Sequence, residues 1–162
     1  MPTYSKKCQL LLTLGEPESI FGDPWPDYIK AHGFTDQDVP DLIKLVGDPA
    51  FDAMPEDSNE VWAPLHAWRV LAQLRAEAAI EPLVQQFPRL CADDAALSDL
   101  PRVFAWFGPA ALPALAARWR QPALDQFVRV MALDALVGIA QQHPESREQV
   151  LEVFQDYLAD PE

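Results

Sequence analysis

Apolar residues between Trp62 and Phe87 (WAPLHAWRVLAQLRAEAAIEPLVQQF) recur at the spacing of two amphipathic helices. Leu65, Trp68, Leu71 and Leu74 lie one helical turn apart, with Val70 and Ala72 beside them. Ile80, Leu83, Val84 and Phe87 repeat the pattern beyond Arg75-Ala76-Glu77, a link that leaves room only for a turn. The stretch therefore predicts two antiparallel helices. Such a pair cannot cover its own apolar stripes on both sides and needs neighbours of the same kind.

The rest of the chain supplies them. Residues 5–14 predict a short helix, with Leu10, Leu11 and Leu14 on one side, covering the open end of the first pair. Residues 15–26 hold three prolines and two glycines and read as connector. Trp25, Tyr28 and Ile29 belong to a short helix ending at Gly33, where glycine accepts the left-handed cap geometry. Thr35-Asp36-Gln37-Asp38 offers an N-cap and first-turn acids to a second helix, with Val39, Leu42, Ile43 and Val46 on its apolar face. Residues 47–60 are an acidic connector anchored by Phe51 and Met54; they read as a solvated loop or as a docking arm for a basic partner.

Beyond the central pair, residues 88–98 bridge to a helix from Asp99 to Phe107 with Leu100, Val103 and Trp106 inward. Gly108-Pro109 turns the chain into a partner helix, Ala110 to Trp119, and Gln121-Pro122 breaks it again. Leu124 to Gln142 carries apolar groups at 124, 128, 131, 132, 135, 136 and 139. Pro144 opens the last helix, with Val150, Leu151, Phe154, Tyr157 and Leu158 inward. The expected core comprises Leu65, Trp68, Leu71, Leu74, Ile80, Leu83, Val103, Trp106, Leu112, Leu115, Met131, Leu136, Ile139 and Phe154. One domain is expected over residues 1–162: cap and connector at 1–24, then helix pairs at about 25–47, 60–88, 99–119 and 123–159.

The second helices align with one another. Val39-Pro40-Asp41-Leu42, Ile80-Glu81-Pro82-Leu83 and Leu112-Pro113-Ala114-Leu115 share an apolar opening, a first-turn proline and a leucine three positions on. The leucines are 41 and 32 residues apart. Proline is tolerated there because a first-turn amide has no acceptor within the helix to lose. A two-helix unit recurring at such a period predicts an all-α fold, an α-solenoid of about four antiparallel pairs.

Within the fourth pair, Asp125-Gln126-Phe127-Val128-Arg129-Val130-Met131-Ala132-Leu133-Asp134-Ala135-Leu136-Val137-Gly138-Ile139 resembles the D-x-x-VR-x-x-A-x-x-AL-x-x-I signature of HEAT-like repeats of the phycobilisome-lyase type. His66 to Leu74 followed by Ala78 to Leu83 is similar to the same unit. The resemblance covers residues 60–158, and 25–46 more weakly. It implies a superhelical array whose second helices form the concave wall where partners bind. Pro64-Leu65-His66-Ala67 echoes the ankyrin T-P-L-H-x-A motif, but only once and with alanine one place early.

Charge narrows the function. The chain carries 25 acidic and 12 basic residues, net −13, and residues 1–60 hold 12 of the acids against four lysines. Such a field repels phosphate backbones, so no nucleic-acid partner is expected, whereas a basic protein partner fits. No apolar run spans a membrane. Lys6-Lys7 ahead of Leu10-Leu11-Leu12 has the order of a signal peptide, but the apolar part is short and no cleavage site follows, so a cytoplasmic protein is expected. Cys8 and Cys91 match no metal or redox spacing; they read as buried thiols, with a single disulfide left open.

No catalytic, cofactor or metal site is expected. His32, His66 and His143 are followed by glycine, alanine and proline, so the His-Glu pairs of HEAT-like di-iron hydroxylases are missing. HEAT-like glycosylases imply a basic groove, and here the field has the opposite sign. No glycine cluster makes a phosphate loop. His66 is expected in a helix with its ring against Trp62 or a loop carbonyl.

Subtracting the apolar faces of the second helices leaves a ladder of Asp41 and Lys44, Glu81 and Gln85, Ala114 and Arg118, and Glu148 and Glu152. It reads as a solvated face or as a groove for a protein partner with some positive charge. The leading expectation is thus a non-catalytic interaction adaptor. A small-molecule or enzymatic pocket near Trp62, His66 and Arg69 is the competing one, and a homo-oligomer is compatible with either.

Overall fold

The computed structural model describes residues 3–18, 24–121 and 124–159, and among them all regular structure is helical. The chain forms two compact units, Met1–Leu83 and Val84–Glu162.

The first unit is built on helices α1 (Lys6–Leu11), α2 (Tyr28–His32), α3 (Val39–Val46) and α4 (Ala63–Gln73), with α5 (Ile80–Leu90) beginning at its end. Every residue of α4 from Ala63 to Ala72 is buried. A helix apolar nearly all round can be stable only as a central element, with neighbours on every side. α3 packs on α4, and α1 and α2 also reach α4. α1 buries Cys8 and Leu11, while Leu10 and Leu14 stay half-exposed. Gly33 closes α2 at φ 67°, the left-handed cap its position demanded. Thr35 and Asp38 form a capping box ahead of α3. Phe51 anchors the 47–60 connector as a buried side chain, and Met54 is half-buried.

The α4–α5 link is a Schellman turn: the Ala76 amide donates to the Leu71 carbonyl at 3.1 Å and the Arg75 amide to Ala72 at 2.9 Å. Arg75 occupies the position that glycine usually fills, at φ 50°.

The second unit contains α6 (Asp94–Phe107), α7 (Leu112–Trp119), α8 (Gln126–Gln142) and α9 (Arg147–Ala159). α8 is its centre, packing on α6, α7 and α9 and burying Val128, Met131, Ala132, Ala135, Leu136 and Ile139, the inward positions the sequence predicted. Gly138 lets α6 come close, since a Cβ there would lie 3.2 Å from that of Ala105. Phe104 stacks edge-to-face on Phe87 and Phe107, with ring centroids 5.3 and 5.7 Å apart. Gly108, at φ 69°, takes the ring of His143 so closely that a Cβ would sit 2.8 Å from Nε2. That His143 nitrogen meets the Ala105 carbonyl at 3.1 Å.

Several expectations need correction. The 88–98 bridge is shorter than predicted: α5 continues through Pro88 to Leu90, and α6 starts at Asp94 because Asp93 caps it, accepting the Ala95 and Ala96 amides. Asp93 and Asp94 are thus a helix start rather than connector. Residues 108–111 form a 3-10 turn before α7. Asp125 caps α8 through the Phe127 amide, leaving Leu124 outside the helix. Trp106 is 37% exposed instead of core, and Leu74 and Phe154 are half-buried. On α9, Val150 and Val153 point inward while Leu151 and Leu158 are 55% and 73% exposed. The remaining core expectations are buried. Residues 19–23 of the first connector, the break at Pro122 and the Tyr157 side chain lie outside the described residues.

Candidate interaction surface

The first rung of the expected ladder lies on α3, and its two charged side chains hold backbone. Asp41 accepts the Ser5 amide through Oδ2 at 2.9 Å, and Lys44 Nζ donates to the Thr3 carbonyl at 3.2 Å. Between them Tyr4 is buried, its ring 5.5 Å beneath the Lys44 ammonium and 6.5 Å from Phe51. Its hydroxyl donates to Asp48 Oδ2 at 2.6 Å. Burial, reinforced by the Asp48 carboxylate, pushes the Tyr4 phenol well above its ordinary range. Thr3–Ser5 therefore lies along α3 as an extended strap with one buried aromatic anchor. The sequence placed Asp41 and Lys44 on an open face because periodicity within α3 cannot reveal a segment 36 to 41 residues away that returns onto it.

A second tie secures α1. Lys7 Nζ reaches Asp38 Oδ2 at 2.9 Å and the Gly33 carbonyl at 2.6 Å. Burial disfavours the Asp38 carboxylate, but hydrogen bonds from Lys7 and Thr35 outweigh it and hold the group below the usual carboxyl range. Burial raises the Cys8 thiol.

Two residues of the expected pocket, His66 and Arg69, are buried within the first unit. His66 is 3% exposed, with Nε2 2.8 Å from the Gly15 carbonyl and Nδ1 2.6 Å from the Tyr28 hydroxyl. A carbonyl can only accept, so Nε2 carries the proton and the neutral ring accepts the tyrosine O–H at Nδ1. The loop-carbonyl partner expected for His66 is thus Gly15. Arg69, one turn further along α4, is fully buried, its guanidinium 5.2 Å from the Trp25 ring centroid. Gln73 completes the face, donating to the Pro26 carbonyl at 2.7 Å and accepting the Tyr28 amide at 3.0 Å. Trp62 is half-buried in the 3-10 turn that leads into α4. His66, Arg69 and Gln73 pin the connector and α2 onto α4.

Glu81 and Gln85 are exposed one turn apart on α5, while Leu83, Val84 and Phe87 of the same helix are buried. In the second unit Ala114 and Arg118 are half-buried on α7, and Arg118 Nη1 donates to Gln121 Oε1 at 2.7 Å. Glu148 and Glu152 are exposed on α9. Asp41, Lys44 and Glu81 belong to the first unit, and Gln85, Arg118, Glu148 and Glu152 to the second.

The sequence missed an apolar groove between α8 and α9, about 240 Å³ in volume and lined chiefly by Val137, Ala140, Val150, Leu151 and Phe154. Of the exposed apolar residues Phe127, Val130 and Val137 on the side of α8 away from the core positions, Val137 lines the groove. Among the described residues no three His, Cys, Asp or Glu side chains gather as metal ligands, and no helix is long and apolar enough to cross a membrane. No protein family, curated protein or solved structure matches the chain.

Proposed function

We propose that the chain is a helical-repeat interaction module, an α-solenoid of about four HEAT-like pairs that binds a basic protein partner along its second helices and catalyses no reaction. One contact carries this reading. Asp41 and Lys44, first rung of the ladder, already grip an extended segment by its backbone amide and carbonyl, with an aromatic anchor between them. The exposed Glu81 and Gln85 of α5 are the positions at which a partner segment would lie next.

The repeat reading draws support from local geometry. A 3-10 turn precedes each of α3, α5, α7 and α9, at Asp36–Asp38, Glu77–Ala79, Gly108–Ala111 and Pro144–Ser146. Pro40, Pro82 and Pro113 occupy the first turn of three of these helices. In the second unit α6, first helix of its pair, packs on α8, first helix of the next.

The test is co-purification of the tagged protein from its native cells at low and at raised salt. A stoichiometric partner released by salt is expected, together with its loss on Glu81→Lys/Gln85→Lys at unchanged helical circular dichroism. Recovery of the protein alone at low salt, or retention of the partner by the double variant, overturns the reading.

A further inference from the structure

We propose that the Thr3–Ser5 strap is an exchangeable occupant of the first rung, closing a pocket that an extended, tyrosine-bearing segment of a protein partner enters when the strap leaves. The inference rests on the interaction-module reading, to which it adds a regulatory contact and the chemistry of the partner segment.

The strap and the helix after it are held by different groups. The strap's ties are Asp41 to the Ser5 amide, Lys44 to the Thr3 carbonyl, Asp48 to the Tyr4 hydroxyl, and Gln9 Nε2 to the Tyr4 carbonyl at 2.7 Å. α1 is held by Lys7, which reaches Asp38 and the Gly33 carbonyl, and by the buried Cys8 and Leu11. Ser5 is the pivot between the two sets. Its carbonyl accepts the Gln9 amide at 2.9 Å and its Oγ the Cys8 amide at 3.4 Å. Rotation about the Ser5 N–Cα bond carries Thr3 and Tyr4 off α3 and leaves both of those bonds in place.

What the strap vacates is a built site. Asp48 takes its direction from its own loop: Oδ1 accepts the Ala50 amide at 2.9 Å, capping the 3-10 turn Pro49–Ala53. Oδ2 therefore stays aimed at the position of the phenol oxygen. Phe51, in the same turn, supplies an aromatic wall. Lys44 offers a donor to the carbonyl before the tyrosine, and Asp41 an acceptor to the amide after it. For an extended segment, main-chain bonds of this kind give affinity and the side-chain pocket gives specificity. A carboxylate placed to receive a hydroxyl selects tyrosine over phenylalanine, which would leave it without that donor.

The strap is a weak competitor. Thr3 and Ser5 are exposed, and their bonds to Lys44 and Asp41 lie at the surface, where water replaces them at little cost. Tethering gives it an effective concentration on the order of millimolar. A partner that also engages later positions of the module outcompetes it. Such positions are at hand, since the 3-10 turn Glu77–Ala79, just ahead of Glu81, packs on α3.

The test titrates the full chain with the uncharged, end-blocked peptide Gly-Gly-Thr-Tyr-Ser-Gly-Gly, followed by the amide resonances of residues 41–53. Tyr4→Ala empties the pocket and should bind the peptide saturably, at least about tenfold more tightly than the wild type, whose strap competes. Alanine in place of the peptide's tyrosine should cost at least about tenfold in affinity. Tyr4→Phe keeps the ring and drops only the bond to Asp48, so it should bind the peptide with an affinity between those of wild type and Tyr4→Ala. Equal binding by wild type and Tyr4→Ala, or of the tyrosine and alanine peptides, would overturn the proposal. So would unfolding of Tyr4→Ala in circular dichroism, which would make the strap part of the core. A wild-type dimer in light scattering that Tyr4→Ala abolishes would give the pocket to a second copy and overturn the partner assignment. Glu81→Lys/Gln85→Lys should leave peptide binding unchanged, so the strap and the wider ladder can fail separately.

Discussion

Replacing Tyr28 by phenylalanine removes one oxygen from the interior of the first unit and almost nothing else. The ring keeps its place, so no cavity opens, and the change removes the hydrogen bond to His66 Nδ1. That bond is 2.6 Å long between residues 1% and 3% exposed, so water does not compete for it. Its loss leaves a buried imidazole lone pair facing a C–H edge, which costs about 1–3 kcal/mol. For a chain of this size the melting temperature should fall by roughly 2–12 °C. Denaturant unfolding followed by tryptophan fluorescence gives the free energy, and nitrogen-15 shifts of the imidazole report the proton on Nε2. His66→Leu should be more damaging, because the Gly15 carbonyl loses its donor as well. Adding Tyr28→Phe to His66→Leu should then cost nothing further, giving a coupling energy of about 1 kcal/mol or more. Additive single effects, or a Tyr28→Phe loss below about 0.5 kcal/mol, would refute the assignment of this bond as a buried, water-free tie.

Other expectations follow from local geometry. Arg75→Gly should gain up to about 1 kcal/mol, because relief of a left-handed Cβ outweighs the extra freedom glycine brings to the unfolded chain; chemical denaturation measures it. Gly138→Leu should lose at least about 1–3 kcal/mol by forcing α6 and α8 apart at Ala105, and a melting temperature equal to the wild type would contradict the close approach. Near pH 8 a thiol reagent should modify half-exposed Cys91 well before buried Cys8, whose raised pKa also starves it of thiolate; mass spectrometry of partly labelled protein distinguishes the two. Asp38→Asn should destabilise the first unit at neutral pH. Because the folded Asp38 ionises at lower pH than the unfolded one, the deficit should be full above about pH 4 and shrink as acid carries the wild type through the folded pKa. A deficit independent of pH would count against the Lys7–Asp38 tie.

Much of the helical framework was legible in the chain. The stripe through Val128, Met131, Ala135 and Ile139 specified α8, and Thr35 with Asp38 specified the start of α3, because both signals act within a few turns. Pro88 misled in the opposite sense: it read as the start of a bridge, yet α5 accommodates it and continues to Leu90. Leu151 and Leu158 show the limit of periodicity. An apolar stripe states that a face prefers cover, not that the molecule provides it. Asp41 and Lys44 show the converse, polar groups that looked free until a distant strap settled on them. His66 was recognisable as a packed histidine, but its tyrosine partner, 38 positions earlier, left no local trace.

The ties of the first unit also order the events of synthesis. Tyr4 leaves the ribosome long before Asp48, and Gly15 long before His66, so these segments must wait for partners still to be translated. α1 and its strap are consequently born without a docking surface and settle only once α3 and α4 have appeared. During that interval Tyr4, Cys8 and Leu11 are open to chaperones and to modifying enzymes that cannot reach them in the finished protein.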